Sequence, residues 1–243
     1  MPIAMKTFGL RPGRRIGRSY EVEWLIGGGS EGEVYQVCDR ATGIQRAAKL
    51  FFPHRDPRSR ISVRHAQKLD RLRHCPIVLH YHHSEMVKIG SHQTIAVISE
   101  LCEGEPLQRW IDRHRGGRVS AFVALTVLTH LAHGLEMVHD QGEYHADVHT
   151  ENILIRSVGT GFELKLIDFY EWGRPTKAKM QQDILGAVRV LYDMLGGKKH
   201  YASFVPEAKY ICAGLRTDRI LKRFPSISVL RHYLETFEPE TVF

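Results

Sequence analysis

The chain has 243 residues, 43% of them hydrophobic and 25% charged, enough for one bilobal unit or two small domains with a sizeable core. Its four cysteines, Cys38, Cys75, Cys102 and Cys212, show neither CxxC metal spacing nor the framework of a secreted disulfide protein, so a reducing, cytoplasmic setting is expected. A net charge of +7 and a pI near 9.3 raise nucleic-acid binding, but no aromatic platform is interleaved with the basic residues, and an acidic protein partner is favoured.

Residues 1–19 form a basic tail with Pro and Gly, carrying Arg11, Arg14, Arg15 and Arg18, expected to be mobile or draped on the first lobe. Two strand-like runs, Tyr20 to Ile26 and Glu33 to Asp39, flank Gly27, Gly29 and Gly32 in the pattern G-x-G-x-x-G-x-V that ends at Val34. The glycines therefore cap a β-hairpin and do not open a helix as a dinucleotide-binding loop would. Without side chains, their amides can approach triphosphate oxygens closely. After the turn Ala41-Thr42-Gly43, a third run from Gln45 to Phe51 places Lys49 among apolar neighbours, which suits a charge held against a buried ligand.

A helix is predicted next, with Ile61, His65, Leu69 and Leu72 on its apolar face and Arg55, Arg58, Arg60, Arg64, Lys68, Arg71 and Arg73 read mostly as its wet side. His80, His82 and His83 lie in a strand-like run and read as ordinary packing, not a metal site. In all, residues 20 to about 101 read as five antiparallel strands and one covering helix.

From Glu105 the pattern turns helical, first over Pro106 to Arg115 and then over Ser120 to His139. The second helix has Ser120 as N-cap, Gly142 as its stop, and Phe122, Leu125, Leu128, Leu131, Leu135 and Val138 on the side expected to be buried. Its apolar stretch is broken by Thr126, Thr129, His130 and His133, so neither a membrane span nor a signal peptide is predicted. Then comes His145-Ala146-Asp147-Val148-His149-Thr150-Glu151-Asn152, followed by short runs Asn152 to Ile155 and Glu163 to Ile167 and by Asp168-Phe169. The two runs form a hairpin that presents Asn152 and Asp168 toward one cleft. An Asp, an Asn five residues later and a second Asp beyond a hairpin supply what phosphoryl transfer from Mg-ATP needs: one carboxylate for the acceptor hydroxyl and two oxygen ligands for magnesium.

These motifs, in this order, resemble the protein kinase superfamily, closest to bacterial Ser/Thr protein kinases, over about Tyr20 to Leu234. The resemblance implies an α+β, bilobal fold: an N-lobe of a five-stranded antiparallel sheet plus one helix, and a mostly helical, truncated C-lobe. It divides the chain into a tail (1–19), an N-lobe (20–101) and a C-lobe (102–243), with a single kinase-like domain over 20–236. It implies ATP and Mg2+ as cofactors, with Gly27, Gly29, Gly32 and Val34 over the nucleotide and Lys49 on its α and β oxygens. Ile98 to Leu107 resembles the hinge, where Ser99 is a small gatekeeper and the backbone around Glu100 and Cys102 binds adenine. Asn152 and Asp168 would hold magnesium and Asp147 would orient the acceptor hydroxyl. Asp183 to Gly186 with Leu191 to Gly197 resembles the central C-lobe helix, and Leu221 to Leu230 the last helical segment.

Departures from the family pattern decide what is phosphorylated. His65 stands where a Glu usually pairs with the lysine, so that ion pair is missing or rerouted to Gln67 or Asp70. Ala146 replaces the arginine that grips a phosphorylated loop, which argues against control by loop phosphorylation. His149 replaces a lysine, as in many small-molecule kinases, and turnover is expected to decline as its imidazole loses its proton. Tyr170 replaces the glycine after Asp168-Phe169, which removes the freedom to flip. Fourteen residues lie between Asp168 and Asp183, too few for a full activation segment, and with no Ala-Pro-Glu motif Arg223 loses its usual partner. The resemblance thus implies an atypical Ser/Thr protein kinase whose protein substrate docks elsewhere, through the basic helix face. A small-molecule phosphotransferase, on the strength of His149, and a nucleotide-binding pseudokinase scaffold, on the strength of His65, Ala146 and Tyr170, are the alternatives. Delivery into another cell's cytosol as an effector is compatible with the same sequence.

Overall fold

The computed structural model describes residues 5–169 and 173–237. They form two compact units, one of residues 5–74 and 79–102, the other of residues 75–78, 103–169 and 173–237. The expectation at Tyr170 falls outside the described residues.

The first unit is built on one antiparallel sheet of β1 (Arg15–Ile16), β2 (Tyr20–Gly28), β3 (Gly32–Asp39), β4 (Gln45–Phe51), β5 (Tyr81–Ile89) and β6 (His92–Ser99) in the order β1-β2-β3-β4-β6-β5. Period-two alternation sends Tyr20, Val22, Tyr35, Val37, Ala48, Leu50, Ala96 and Ile98 into one apolar cluster, joined by Ile16 and Val87. The sheet has six strands where the sequence predicts five. The extra one comes from the tail, because Ile16 is apolar and pairs with Tyr20 on the free edge of β2.

Helix α1 (Arg60–Arg71) starts from a left-handed Ser59, and the buried Asp56 carboxylate satisfies its first amides, accepting from Ile61 N and Ser62 N at 2.9 Å each. Its buried face carries Ser62, His65, Ala66, Lys68 and Leu69. Lys68, expected on the wet side, is only 1% exposed. It falls three positions after His65 and one before Leu69, inside the inward stripe.

The second unit begins its ordered elements with β7 (Glu105–Pro106), α2 (Leu107–Asp112) and α3 (Ala121–Asp140). It continues with β8 (Ile153–Val158), β9 (Gly161–Leu166), α4 (Lys177–Met194), α5 (Gly197–His200), α6 (Pro206–Cys212), α7 (Thr217–Arg223) and α8 (Ile227–Thr236). β7, β8 and β9 form a small antiparallel sheet. Pro106, predicted to begin a helix, instead closes β7, since its extended ψ of 133° suits a strand and the N-cap of α2.

By length and composition α3 is apolar enough to cross a bilayer, yet its apolar residues serve the core: Ala124, Val127, Leu128, Leu131, Ala132, Leu135 and Val138 are buried. Ser120 caps it by accepting from Val123 N. Phe122, expected on the buried side, is 80% exposed, because it lies two positions before Ala124, on the far side of the helix from the stripe Ala124, Val127, Leu128, Leu131, Leu135 and Val138. α4 is buried along most of its length, through Asp183, Ile184, Ala187, Val188, Val190, Leu191 and Met194, and the unit is organised around it.

Candidate active site

In the first unit, β2 and β3 bring Gly27 opposite Val34 and Gly28 opposite Glu33, and the tip is closed by Gly29 N donating to Gly32 O at 3.0 Å. Two register shifts, between Val22 and Trp24 and between Leu25 and Gly27, twist the rising arm. The glycines differ in what they meet. A Cβ on Gly32 would overlap the Leu50 carbonyl oxygen, whereas Gly27 and Gly29 face open space. Gly32 is therefore required by the fold, and the bare backbone at Gly27 and Gly29 leaves room for a ligand to approach closely.

Lys49 is 9% exposed on β4, with Nζ 5.3 Å from the centre of the Phe51 ring. The same ring meets the edge of His65 at 5.6 Å. His65 thus occupies the inward α1 position, beside Phe51. Of the two residues to which the sequence reading reroutes the pair, Gln67 is exposed and the exposed Asp70 faces Arg73 at 3.5 Å, both one helical step away from the buried stripe. In the hinge-like stretch Ser99 is buried, Cys102 is half-buried, and Glu100 closes a loop in which its N–H donates to His80 O and its Oε1 accepts from His80 N, at 2.9 Å each.

In the second unit, the segment between α3 and β8 collects the other predicted residues. Asn152 is buried, and its Nδ2 donates to Asp147 O at 3.0 Å and to Asp147 Oδ2 at 3.2 Å. Its Oδ1 is thereby presented on the opposite side of the amide. His149 Nδ1 accepts from Glu151 N at 3.3 Å, which puts the ring proton on Nε2, 3.6 Å from Asp147 Oδ2. The Asp147 side chain itself is 59% exposed.

What holds this segment is Asp183 of α4, fully buried. Its carboxylate accepts from His145 N at 2.9 Å, from Ala146 N at 2.5 Å and from His139 Nε2 at 2.8 Å. These bonds keep Ala146 in the left-handed region at φ 66°. His145 carries the restraint onward: its Nδ1 accepts from Asp147 N at 3.2 Å, its Nε2 donates to Ile167 O at 2.8 Å, and its ring lies 4.4 Å from that of Phe169. Ile167 N in turn donates to Asn152 O at 3.0 Å, and Asp168 follows at φ 63°. Asp147 and Asn152 are thus joined by hydrogen bonds, with His149 3.6 Å from Asp147 and Asp168 next to Ile167, whose amide bonds Asn152 O. Motif reading leaves Asp183 and His139 without a role; the one signal for them is a charged residue within an otherwise apolar helical stripe.

Gly173 O accepts from the Tyr144 hydroxyl at 3.3 Å, while Lys179 Nζ donates to the same hydroxyl at 2.7 Å. Arg223, expected to lack a partner, instead lies 4.1 Å over the Tyr210 ring and donates to Tyr210 O.

The family model described as "Protein kinase domain" matches residues 20–202, and the chain belongs to that family. Among its relatives, the Corynebacterium efficiens protein named "Serine/threonine-protein kinases drp72" is 27% identical over 157 residues, which is 63% of this chain and 29% of that protein. The Mycobacterium tuberculosis "Serine/threonine-protein kinase PknA" is 30% identical over 162 residues, 65% of this chain and 36% of that one. The chain thus spans about a third of the length of the curated relatives it matches. A crystal structure of a variant of the M. tuberculosis PknI kinase domain shares the fold, with a TM-score of 0.67 at 17% identity, over 93% of this chain and 97% of that one.

Proposed function

We propose that the chain is an ATP- and Mg-dependent phosphotransferase acting on Ser or Thr hydroxyls of proteins, without a full activation segment. The observation that carries this reading is the Asp147–Asn152 pair, locked by hydrogen bonds of 3.0 and 3.2 Å on a loop that the buried Asp183 holds by two backbone amides. Such rigid placement is what a reaction with a loose transition state demands, since its catalysis is positioning and charge compensation.

The donor set fits magnesium: Asn152 Oδ1, turned away from Asp147, and the Asp168 carboxylate are hard oxygen ligands, and phosphate oxygens complete such a shell. Bound there, the ion would neutralise charge on the transferring phosphoryl group. Asp147 orients the acceptor hydroxyl and takes its proton late. Lys49 serves the α and β oxygens, and the hairpin, bare of side chains at Gly27 and Gly29, covers the phosphates. His149, its Nε2–H directed at Asp147, supports the carboxylate.

The test is incubation of the pure protein with magnesium and labelled ATP, alone, with generic proteins and with a metabolite pool. Label retained on Ser or Thr of protein, and abolished by Asp168→Ala, is the expected result. Label in small products instead identifies a small-molecule phosphotransferase, the reading favoured by His149. Nucleotide binding without transfer identifies a scaffold.

A further inference from the structure

Residues preceding β2 run against the outer face of the glycine hairpin. Gly13 N donates to Val22 O at 2.9 Å and Val22 N to Arg14 O at 2.8 Å, which joins the segment to the free edge of β2. Farther toward the N-terminus, Phe8 N donates to Glu33 Oε2 at 2.9 Å, and Leu10 N donates to the Tyr35 hydroxyl at 3.3 Å. That hydroxyl donates to the same Oε2 of Glu33. The Phe8 ring lies 5.2 Å from Phe52, whose N–H donates to Glu31 O at 2.9 Å inside the hairpin tip. One tail residue therefore meets both Glu33 of β3 and Phe52, the residue that bonds the hairpin tip.

Glu33 gives this its force. It directly follows Gly32, pairs with Gly28 across the hairpin, and is only 4% exposed. A carboxylate removed from water is stable only when its oxygens are hydrogen-bonded. Here the donors are a tail amide and the Tyr35 hydroxyl, itself on a residue 1% exposed. The Tyr35 phenol is held above its ordinary pKa by burial and by its bond to Glu33, so it stays a donor at neutral pH. Loss of the Phe8 amide would leave Glu33 undersatisfied and push its strand toward water, moving Gly32 and Val34 with it.

We infer that the segment around Phe8 is a built-in strap that positions the glycine hairpin, with Glu33 and Tyr35 as positioning residues for the nucleotide. The inference rests on the kinase reading. It assigns to the tail a purpose that its basic composition alone does not suggest. The strap acts on the hairpin and leaves the Asp147 assembly alone, so it affects nucleotide affinity and not the acceptor.

The experiment uses the full chain with Phe8→Pro, which deletes the donor N–H, Phe8→Leu, which keeps it, and Tyr35→Phe, which removes only the hydroxyl. Expected for Phe8→Pro, which loses the bond from its amide to Glu33, and for Tyr35→Phe, which loses the bond to Glu33 and the one accepted from Leu10, is a rise of roughly three- to thirtyfold in the KM for ATP. kcat at saturating ATP and the acceptor KM stay at wild-type values, and Phe8→Leu behaves like wild type. Amide exchange accelerates at Gly28 to Val34 and is unchanged in β5 and β6. Should Phe8→Pro fail to fold, Tyr35→Phe carries the test alone. An unchanged ATP KM in the folded variants, or exchange that rises evenly through the sheet, overturns the strap while the kinase reading stands. Failure of the wild type to bind Mg-ATP overturns both.

Discussion

Ala146 and Asp168 are non-glycine residues held at φ 66° and 63°, where an L-residue costs roughly 1–2 kcal/mol. The three bonds to Asp183 offset that strain at Ala146. Asp183→Ala should therefore cost about 3 kcal/mol or more, by leaving two backbone amides and His139 without their charged acceptor, and thermal unfolding will show it. Ala146→Gly should stabilise by about 1 kcal/mol or less, because relief of the left-handed strain exceeds glycine's extra chain entropy. The glycines of the hairpin separate in the same way. Gly32→Ala should destabilise by about 1–3 kcal/mol through its clash with Leu50 O, whereas Gly27→Ala should change stability by less than about 0.5 kcal/mol and weaken only Mg-ATP binding. Calorimetry on both variants checks the contrast. The reactive residue types were legible at this scale, because phosphoryl transfer demands Asp, Asn and Lys at fixed spacing. Asp183's hold on Ala146 was not, since it joins positions 37 residues apart.

At the scale of elements, periodicity located α1, α3 and the strands, and it erred where a residue's type disagreed with its angular position on the helix. Leu128→Ala, in the fully buried middle of α3, should cost about 2–5 kcal/mol. Phe122→Ser, 80% exposed in the first turn, should stay within about 0.5 kcal/mol of wild type. Denaturant midpoints of the two variants check both values. Lys68 shows the converse: a charged residue reads as wet by type, yet its place in the stripe of α1 puts it inside. β1 escaped prediction because a two-residue strand carries no period of its own and exists only through the edge of β2.

For the whole molecule, burial sorts the four thiols. It raises the Cys75 thiol above its ordinary pKa and pushes Cys212 up to about 12. Since the thiolate is the nucleophile, both stay protonated at mild alkaline pH, and brief alkylation of the native protein should mark the half-buried Cys38 and Cys102 alone. Labelling of all four should require denaturant, and peptide mass mapping reads the pattern. The sequence by itself determined the order of the elements, the family resemblance and the residue types of the site, because these depend on local periodicity and on chemistry confined to short motifs. Only the tertiary structure decided that Asp183 holds the loop, that His65 turns inward beside Phe51, that Tyr210 receives Arg223 and that Phe8 closes over Glu33. Those pairings join residues far apart in the chain, and burial and hydrogen-bond satisfaction select them only once the chain has folded.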